Sequence, residues 1–222
     1  MAPCLLIAQL TPGVYKAHEQ QDEDRTYLLF VSPDYMIHTV YHSNPNDFVV
    51  ARGGFYNIEG DSLVVELEFN SNFETDGAKQ HRAMIAQDGE TLIFNGNEQQ
   101  TYIREPSLEQ PLDGRWLFAT RGPDTGQERR GEENPRKTLK FLKDGYFQWV
   151  AYHTETMNFS GTGGGRYTAE DGTYTEVIQF FSRDPERVGA ELKFQYEIEG
   201  NDWHHKGKNS RGEPMYEIWG KR

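Results

Sequence analysis

Short segments of alternating apolar and polar residues, separated by turn signals, run along most of the chain. In the second half they predict strands near 114–121, 137–143, 146–154, 159–168, 173–182, 191–199, 202–206 and 214–220. Separators such as Asp144-Gly145 and Asp171-Gly172 favour tight hairpin turns. No stretch of ten or more residues keeps a helical period with caps. The pattern therefore predicts an all-β chain in which helices are minor.

The chain contains an internal repeat at an offset of 111 residues, because positions 30–69 align with 141–180 without a gap. Ten aligned pairs are identical, whereas chance at ordinary composition gives about two or three. The identical pairs are Phe30/Phe141, Tyr35/Tyr146, Tyr41/Tyr152, His42/His153, Phe48/Phe159, Gly53/Gly164, Gly54/Gly165, Tyr56/Tyr167, Glu59/Glu170 and Phe69/Phe180. The repeat indicates a tandem duplication with domains over 1–106 and 107–222.

Each copy carries about eight consecutive strands, which sets the predicted fold class. Closing such strands into an up-and-down barrel removes the exposed sheet edges that an open sheet would leave. We therefore expect an all-β protein built from two tandem antiparallel up-and-down β-barrels.

The start of the second copy carries a recognisable motif. Gly114-Arg115-Trp116 matches the Gly-x-Trp signature of lipocalins, and Lys221-Arg222 follows the last predicted strand, where calycins place a basic residue against that tryptophan. The second copy thus resembles the lipocalin-like (calycin) domains of secreted bacterial proteins. The first copy departs from the signature, since Tyr15 replaces the tryptophan, although Arg104 keeps the basic position. The resemblance implies a barrel with a ligand cavity and no particular ligand.

Charge and composition narrow the function classes. The net charge is −12, and residues 1–105 alone carry −10, with 6 Lys/Arg against 16 Asp/Glu. Nucleic-acid binding requires a basic face, so we expect no nucleic-acid partner. No run approaches the roughly 18 apolar residues of a membrane span. Cys4 is the single cysteine, which excludes an internal disulfide and a cysteine metal cluster.

The N-terminal segment, residues 1–9, is apolar with a small residue near its end, like the tail of a secretory signal. It lacks a basic stretch before the apolar run, so it also fits a short first strand. The segment favours a periplasmic or secreted location and leaves a cytoplasmic one open.

Period-two alternation predicts which side chains point into each barrel. In the second copy these are Phe147, Trp149, Ala151, His153, Tyr174, Glu176, Ile178, Phe180, Leu192, Phe194, Tyr196, Ile198, Trp203 and His205. The matching residues of the first copy are Met36, His38, Val40, His42, Leu63, Val65, Leu67, Phe69, Gln80, Arg82, Met84, Ala86, Leu92 and Phe94.

The two predicted interiors differ in polarity. The second copy places His153, Glu176 and His205 on inward faces, where the first copy has His42, Val65 and Phe94. A buried carboxylate is costly unless it is paired, and an imidazole would serve as the partner of Glu176. The sequence therefore predicts a polar pocket in the second barrel. Its candidate ligand-binding residues are His153, Glu176, His205, Trp149, Tyr174, Tyr196 and Trp203.

The favoured function is non-enzymatic binding of a small hydrophobic or amphipathic molecule, chiefly in the second barrel, with the first barrel mainly structural. One alternative is a structural or protein-interaction module with filled barrels, since eight strands leave an interior only just wide enough for side chains. Another is an enzyme that uses His153, Glu176 and His205 for metal or acid–base chemistry. No hydrolase or metalloprotease motif occurs in the sequence, so no catalytic residue, metal or cofactor is assigned.

Overall fold

The computed structural model describes residues 9–19, 22–96, 99–208 and 212–222. The apolar segment 1–8, on which the secretory-signal prediction depends, lies outside the described residues. The chain divides into two compact units, Met1–Ser107 with Met157–Phe159 and Leu108–Thr156 with Ser160–Arg222. Among the described residues, no helix is long and apolar enough to cross a membrane.

The first barrel consists of eight antiparallel strands that neighbour one another in sequence order. They are β1 (Gly13–Glu19), β2 (Asp22–Val31), β3 (Tyr35–Ser43), β4 (Asn46–Glu59), β5 (Ser62–Asn70), β6 (Gln80–Asp88), β7 (Thr91–Asn95) and β8 (Gln99–Arg104). The barrel closes where Tyr15 of β1 pairs with Arg104 of β8. A four-residue helix, α1 (Phe73–Asp76), joins β5 to β6.

The second barrel repeats this order and closes between its first and last strands. Its strands are β9 (Gly114–Arg121), β10 (Arg136–Lys143), β11 (Tyr146–His153), β12 (Asn158–Glu170), β13 (Thr173–Phe181), β14 (Glu191–Glu199), β15 (Asp202–Lys208) and β16 (Pro214–Lys221). A single 3₁₀ turn, Pro185–Arg187, lies between β13 and β14. The predicted fold class, two tandem antiparallel β-barrels, is confirmed.

Two of the predicted hairpins have the tightest connection that antiparallel strands allow. Asp144 and Gly145 join β10 to β11, and their φ angles are 51° and 74°. Asp171 and Gly172 join β12 to β13 with φ angles of 48° and 74°. A two-residue turn with positive φ at both positions matches the twist of the flanking strands, and Asp-Gly tolerates it best.

Each barrel has an aromatic residue near its start with the same backbone contact. Trp116 is 1% exposed, and its Nε1 donates to the Leu112 carbonyl at 2.9 Å. Tyr15 is fully buried, and its hydroxyl donates to the Thr11 carbonyl at 2.7 Å. The ammonium group of Lys221 lies 5.5 Å from the Trp116 ring centroid. Trp116 is thus buried with a basic residue against its ring, as expected, although Lys221 is the last residue of β16 and does not follow it.

A β-bulge interrupts the fifth strand of the first barrel. Gly53 of β4 pairs with Phe69, whereas the next residue, Gly54, pairs with Leu67. Glu68 is therefore an extra residue in β5. An extra residue reverses the face to which the rest of the strand points.

The second barrel has the same bulge, with Gln179 as the extra residue between Ile178 and Phe180 of β13. The prediction that Phe180 and its counterpart Phe69 point inward is wrong for this reason. Phe181 points inward instead, and its ring lies 5.5 Å from that of Trp149.

Glycine is required opposite each bulge because two strands approach closely there. A Cβ atom added at Gly54 would collide with the Glu66 carbonyl oxygen. A Cβ atom added at Gly165 would collide with the Val177 carbonyl oxygen in the same way. Both barrels therefore keep the same small residue at the same place in the hairpin.

The predicted inward face of β6 is also wrong. Leu63 pairs with Ala83 and Val65 pairs with His81, and cross-strand partners share a face, so His81 and Ala83 point inward. The predicted set of Gln80, Arg82, Met84 and Ala86 lies on the opposite face, where Met84 is 51% exposed. In the second barrel Ile198 pairs with the buried Trp203 and so lies on the predicted face, but it is 41% exposed because it is near the end of β14.

Candidate functional site

Each barrel encloses a cavity. The cavity of the first barrel has a volume of about 540 Å³, and that of the second about 300 Å³. Small-molecule sites in proteins range over roughly 300–1,000 Å³. The larger cavity therefore lies in the first barrel, which we expected from the sequence to be mainly structural.

Side-chain size explains the difference in volume. At three equivalent inward positions the second barrel has an aromatic residue and the first barrel has a smaller one. These pairs are Tyr174 against Leu63, Phe194 against Ala83, and Trp203 against Leu92. Tyr174, Phe194 and Trp203 belong to one packed core cluster in the second barrel. The same ring volume is missing from the first barrel, and this leaves the larger space.

The first cavity has an apolar wall and a basic, partly exposed side. Its apolar lining includes Leu29, Met36, Leu63, Val65, Leu67 and Phe94, and its basic lining includes Arg52, Arg82, His38 and His81. Among the described residues that line it, none is Asp or Glu. His81, Arg82 and Met84 are exposed, so the cavity reaches the surface beside β6.

Arg52 is held in place at the wall of this cavity by residues near α1. Its Nε donates to Oδ1 of Asn70 at 3.1 Å, and a terminal nitrogen donates to Oδ2 of Asp76 at 2.7 Å. Asp76 also accepts from the Ala78 backbone amide at 2.9 Å. That amide, together with Asn70 and Arg52, lowers the pKa of Asp76. The guanidinium group is therefore oriented by an ionised partner.

Two histidines of the first barrel are neutral at pH 7. His38 forms a hydrogen bond of 3.0 Å with the Tyr102 hydroxyl, and its ring stacks on Tyr27. Burial inside the barrel, with smaller effects of His81 and Arg52, lowers the pKa of His38 to about 4. Partial burial and the charge of Arg52 also lower the pKa of His81.

A buried ion pair crosses the second barrel. Lys140 Nζ donates to Oε1 of Glu176 at 2.8 Å, and both side chains are at most 7% exposed. The Tyr174 hydroxyl donates to the same oxygen at 2.7 Å. Lys140 Nζ also lies 5.0 Å from the ring centroids of Tyr174 and Trp203. The partner that Glu176 requires is thus a lysine, and not the histidine that the sequence comparison predicted.

His205 lines the second cavity without a hydrogen bond. It is 2% exposed, and neither ring nitrogen has a hydrogen-bond partner among the described residues. The nearest carboxylate is Glu217, with 3.6 Å between Nδ1 and Oε2. Burial and the charge of Lys140 lower the pKa of His205. Burial alone would raise the pKa of Glu217, but His205 and Lys140 lower it, so Glu217 is ionised.

The structure brings together part of the predicted site. Trp149, Glu176 and His205 line the second cavity. Tyr174 and Trp203 are fully buried beside His205, with ring centroids 5.7 and 5.1 Å from its own. These five residues therefore form one continuous cluster.

Two predicted site residues lie outside this cluster. Tyr196 is partly buried against the core and does not line the cavity. His153 is the last residue of β11 and lies outside the cavity, where its Nδ1 accepts from the Thr156 amide at 3.4 Å. Within the described ranges, no group of three His, Cys, Asp or Glu residues has the arrangement of a metal site.

Sequence reasoning missed several polar residues of the two cavities, among them Lys140 and Glu217 in the second barrel and Arg52 and His81 in the first. Lys140 carried a signal, because it stands on an inward face where the first copy has Leu29. Arg52 carried a weaker signal, since its counterpart in the second copy is Gly163.

Comparison of the chain with protein-family models and with curated proteins finds no match.

Proposed function

We propose that this protein binds a small, partly apolar ligand inside its barrels and catalyses no reaction. The observation that carries the proposal is the cavity of about 540 Å³ in the first barrel, lined by apolar side chains with a few polar groups. Protein interiors are close-packed, and voids larger than a water molecule are few in each domain. A space of this size that reaches the surface has the character of a ligand pocket.

This proposal keeps the function expected from the sequence and moves its main site. The second barrel was expected to be the principal binder, but its cavity is smaller, and large aromatic residues fill much of its interior. A module with two filled barrels is the less suitable alternative, because the first barrel contains space that its side chains do not fill.

Replacement of Ala83 by phenylalanine should weaken ligand binding in the first barrel. Phe194 occupies the equivalent position in the second barrel, so the new ring is compatible with the fold and takes up the cavity. We expect the affinity for anilinonaphthalenesulfonate, a fluorescent probe with aromatic rings and one sulfonate group, to fall at least about tenfold, which corresponds to 1.4 kcal/mol. A fluorescence titration measures this affinity.

Ala86→Phe is the matched control, because Ala86 lies on the exposed face of the same strand. This variant should bind the probe as the unchanged protein does. If Ala83→Phe binds the probe with undiminished affinity, the cavity of the first barrel is not the binding site.

The second barrel is a second candidate site, and His205 is the specific observation that favours it. Buried polar atoms are nearly always hydrogen-bonded, and each exception requires a partner such as water or a ligand. Trp149, Phe181, Phe194 and Trp219 supply aromatic walls around the same space. We propose that this pocket accepts a small aromatic molecule with a hydroxyl group that bonds to the His205 ring.

His205→Phe tests this second site, since the first barrel already has Phe94 at that position. The variant should fold with equal or greater stability, because it removes buried groups that lack hydrogen bonds. The affinity for p-cresol should fall severalfold, up to about tenfold, whereas the affinity for p-xylene should not fall. Ligand-observed NMR titrations measure both affinities. Equal losses for the two compounds, or no loss for either, would exclude the hydrogen bond to His205.

A further inference from the structure

The described residues that line the first cavity include arginines and no carboxylate, although the copy as a whole is acidic. Residues 1–105 carry a net charge of −10, with only 6 Lys/Arg. Of those six, Arg52 lies on the inward face of β4, whereas Arg82 borders the cavity from the outward face of β6 and pairs with Glu59. The 16 Asp/Glu of this copy contribute no lining residue among those that the structure describes. The inward-facing cation of this cavity is therefore Arg52, and no described carboxylate lines the same space.

Arg52 is oriented as an anion-binding residue. Nε and one terminal nitrogen of its guanidinium group bind Asn70 and Asp76. A guanidinium group has five N–H donors in a fixed planar geometry, so such a pair of anchors leaves donors available for a second acceptor. His81 points inward from β6 and lines the same cavity as Arg52, and burial together with the charge of Arg52 lowers the pKa of the His81 ring. Arg52 supplies the positive charge at the wall of this apolar space, and the neutral His81 ring supplies an N–H donor.

The interior beyond these residues is suited to an apolar chain. Leu63, Val65 and Leu67 point inward from β5, and all three are at most 9% exposed. Further apolar lining comes from Leu29 and Phe94. A ligand that fits both regions has an apolar body and one charged end.

We infer that the first barrel binds an amphipathic anion, with its apolar chain against Leu63, Val65 and Leu67 and its anionic group beside Arg52 and His81. This inference rests on the proposed function and specifies its ligand class. Carboxylate, sulfonate and phosphate groups share the required chemistry, since each accepts paired hydrogen bonds from a guanidinium group. A cationic head group would lie against Arg52 without a lining carboxylate to balance it.

The experiment compares three ligands that differ only in their head group. Dodecanoate, dodecanol and dodecylammonium are titrated into the unmodified full chain by isothermal titration calorimetry. We expect dodecanoate to bind about tenfold or more tightly than dodecanol, and dodecylammonium to bind most weakly. Because this comparison uses the unmodified protein, it does not depend on whether any variant folds.

The variant Arg52→Gln identifies the group responsible for the selectivity. It should bring the affinities for dodecanoate and dodecanol within about twofold of each other. Arg129→Gln is the control, because Arg129 is also paired with an aspartate, Asp202, but belongs to the second unit and does not line this cavity. The control should keep the full preference for dodecanoate.

The outcomes separate the two proposals. If dodecanol or dodecylammonium binds as tightly as dodecanoate, the anion preference is wrong and ligand binding stands. If the preference for dodecanoate survives in Arg52→Gln, the assignment of the head group to Arg52 is wrong. If none of the three compounds binds, both the anion inference and binding of apolar chains in this cavity are overturned.

Discussion

Glu176→Val is expected to lower the free energy of unfolding of the second barrel by about 3–5 kcal/mol. The substitution leaves Lys140 buried and without its carboxylate partner, since both side chains are at most 7% exposed. An uncompensated buried charge costs far more than a lost surface ion pair. The reciprocal change, Lys140→Leu, should have a similar cost because it strands Glu176 instead.

The double variant Lys140→Leu/Glu176→Val is the matched control. The first barrel has Leu29 and Val65 at these two positions, and both are buried in its core cluster. Replacement of a buried ion pair by apolar residues is often neutral or stabilising. We therefore expect the double variant to recover most of the stability that either single variant loses. If the double variant is as unstable as the single ones, the ion pair stabilises the fold by more than offsetting the cost of burying its two charges.

Tryptophan fluorescence during guanidinium chloride unfolding measures these changes in the second barrel alone. All four tryptophans of the chain, Trp116, Trp149, Trp203 and Trp219, belong to the second copy. The first copy contains no tryptophan, so the tryptophan fluorescence does not report the unfolding of the first barrel. An unchanged slope of the transition in each variant checks that its midpoint reports stability.

Trp116→Ala is the second substitution with a large expected effect, about 3–5 kcal/mol of unfolding free energy. It removes a fully buried indole that packs at 5.7 Å against Trp203 and bonds to the Leu112 carbonyl. It also removes the cation–π contact with Lys221, which contributes about 0.5–2 kcal/mol. The fluorescence of the three remaining tryptophans follows the transition.

Trp116→Tyr serves as its control, since Tyr15 occupies the same place in the first barrel and bonds to the carbonyl four residues before it. The tyrosine variant should lose clearly less stability than the alanine variant. A loss within about 0.5 kcal/mol for Trp116→Ala is typical of surface positions and would contradict a core role for Trp116.

The strands and their order were predictable from the sequence because each hairpin is specified locally. Asp144-Gly145 and Asp171-Gly172 fix two turns through their positive φ angles, and alternation fixes the segments between them. The internal repeat then supplied a second, independent sample of the same pattern. Agreement between the two copies is what made the barrel prediction specific.

The faces of some strands were not predictable, because the glycine pair opposite each bulge is on the partner strand and does not specify which residue is the extra one. A single extra residue, Glu68 or Gln179, turns Phe69 and Phe180 away from the interior although the alternation continues through them. The alignment of the two copies matched Phe194 of β14 with Arg82 of β6. The strand pairing matches Phe194 with Ala83 instead, and the wrong match concealed the small residue that opens the first cavity.

The candidate site was predicted in part for a related reason. Glu176 and His205 were placed correctly, because alternation within one strand determines their side of the sheet. The partner of Glu176 lies on β10, far away in sequence, and no pattern within β13 identifies it. His153 was placed with them by alternation, but its position at the end of β11 keeps it out of the cavity.

The matching bulges also bear on how the two barrels came to differ. The same extra residue, opposite the same pair of glycines, is more simply inherited from one ancestral barrel than acquired twice. The backbone frame has therefore been kept since the duplication, whereas the residues inside it have changed in size and charge. The first barrel now has the larger cavity, with arginines beside it, and the second has a smaller cavity with a buried ion pair. Because the same backbone accommodates both interiors, the residues of one cavity can change while those of the other stay the same.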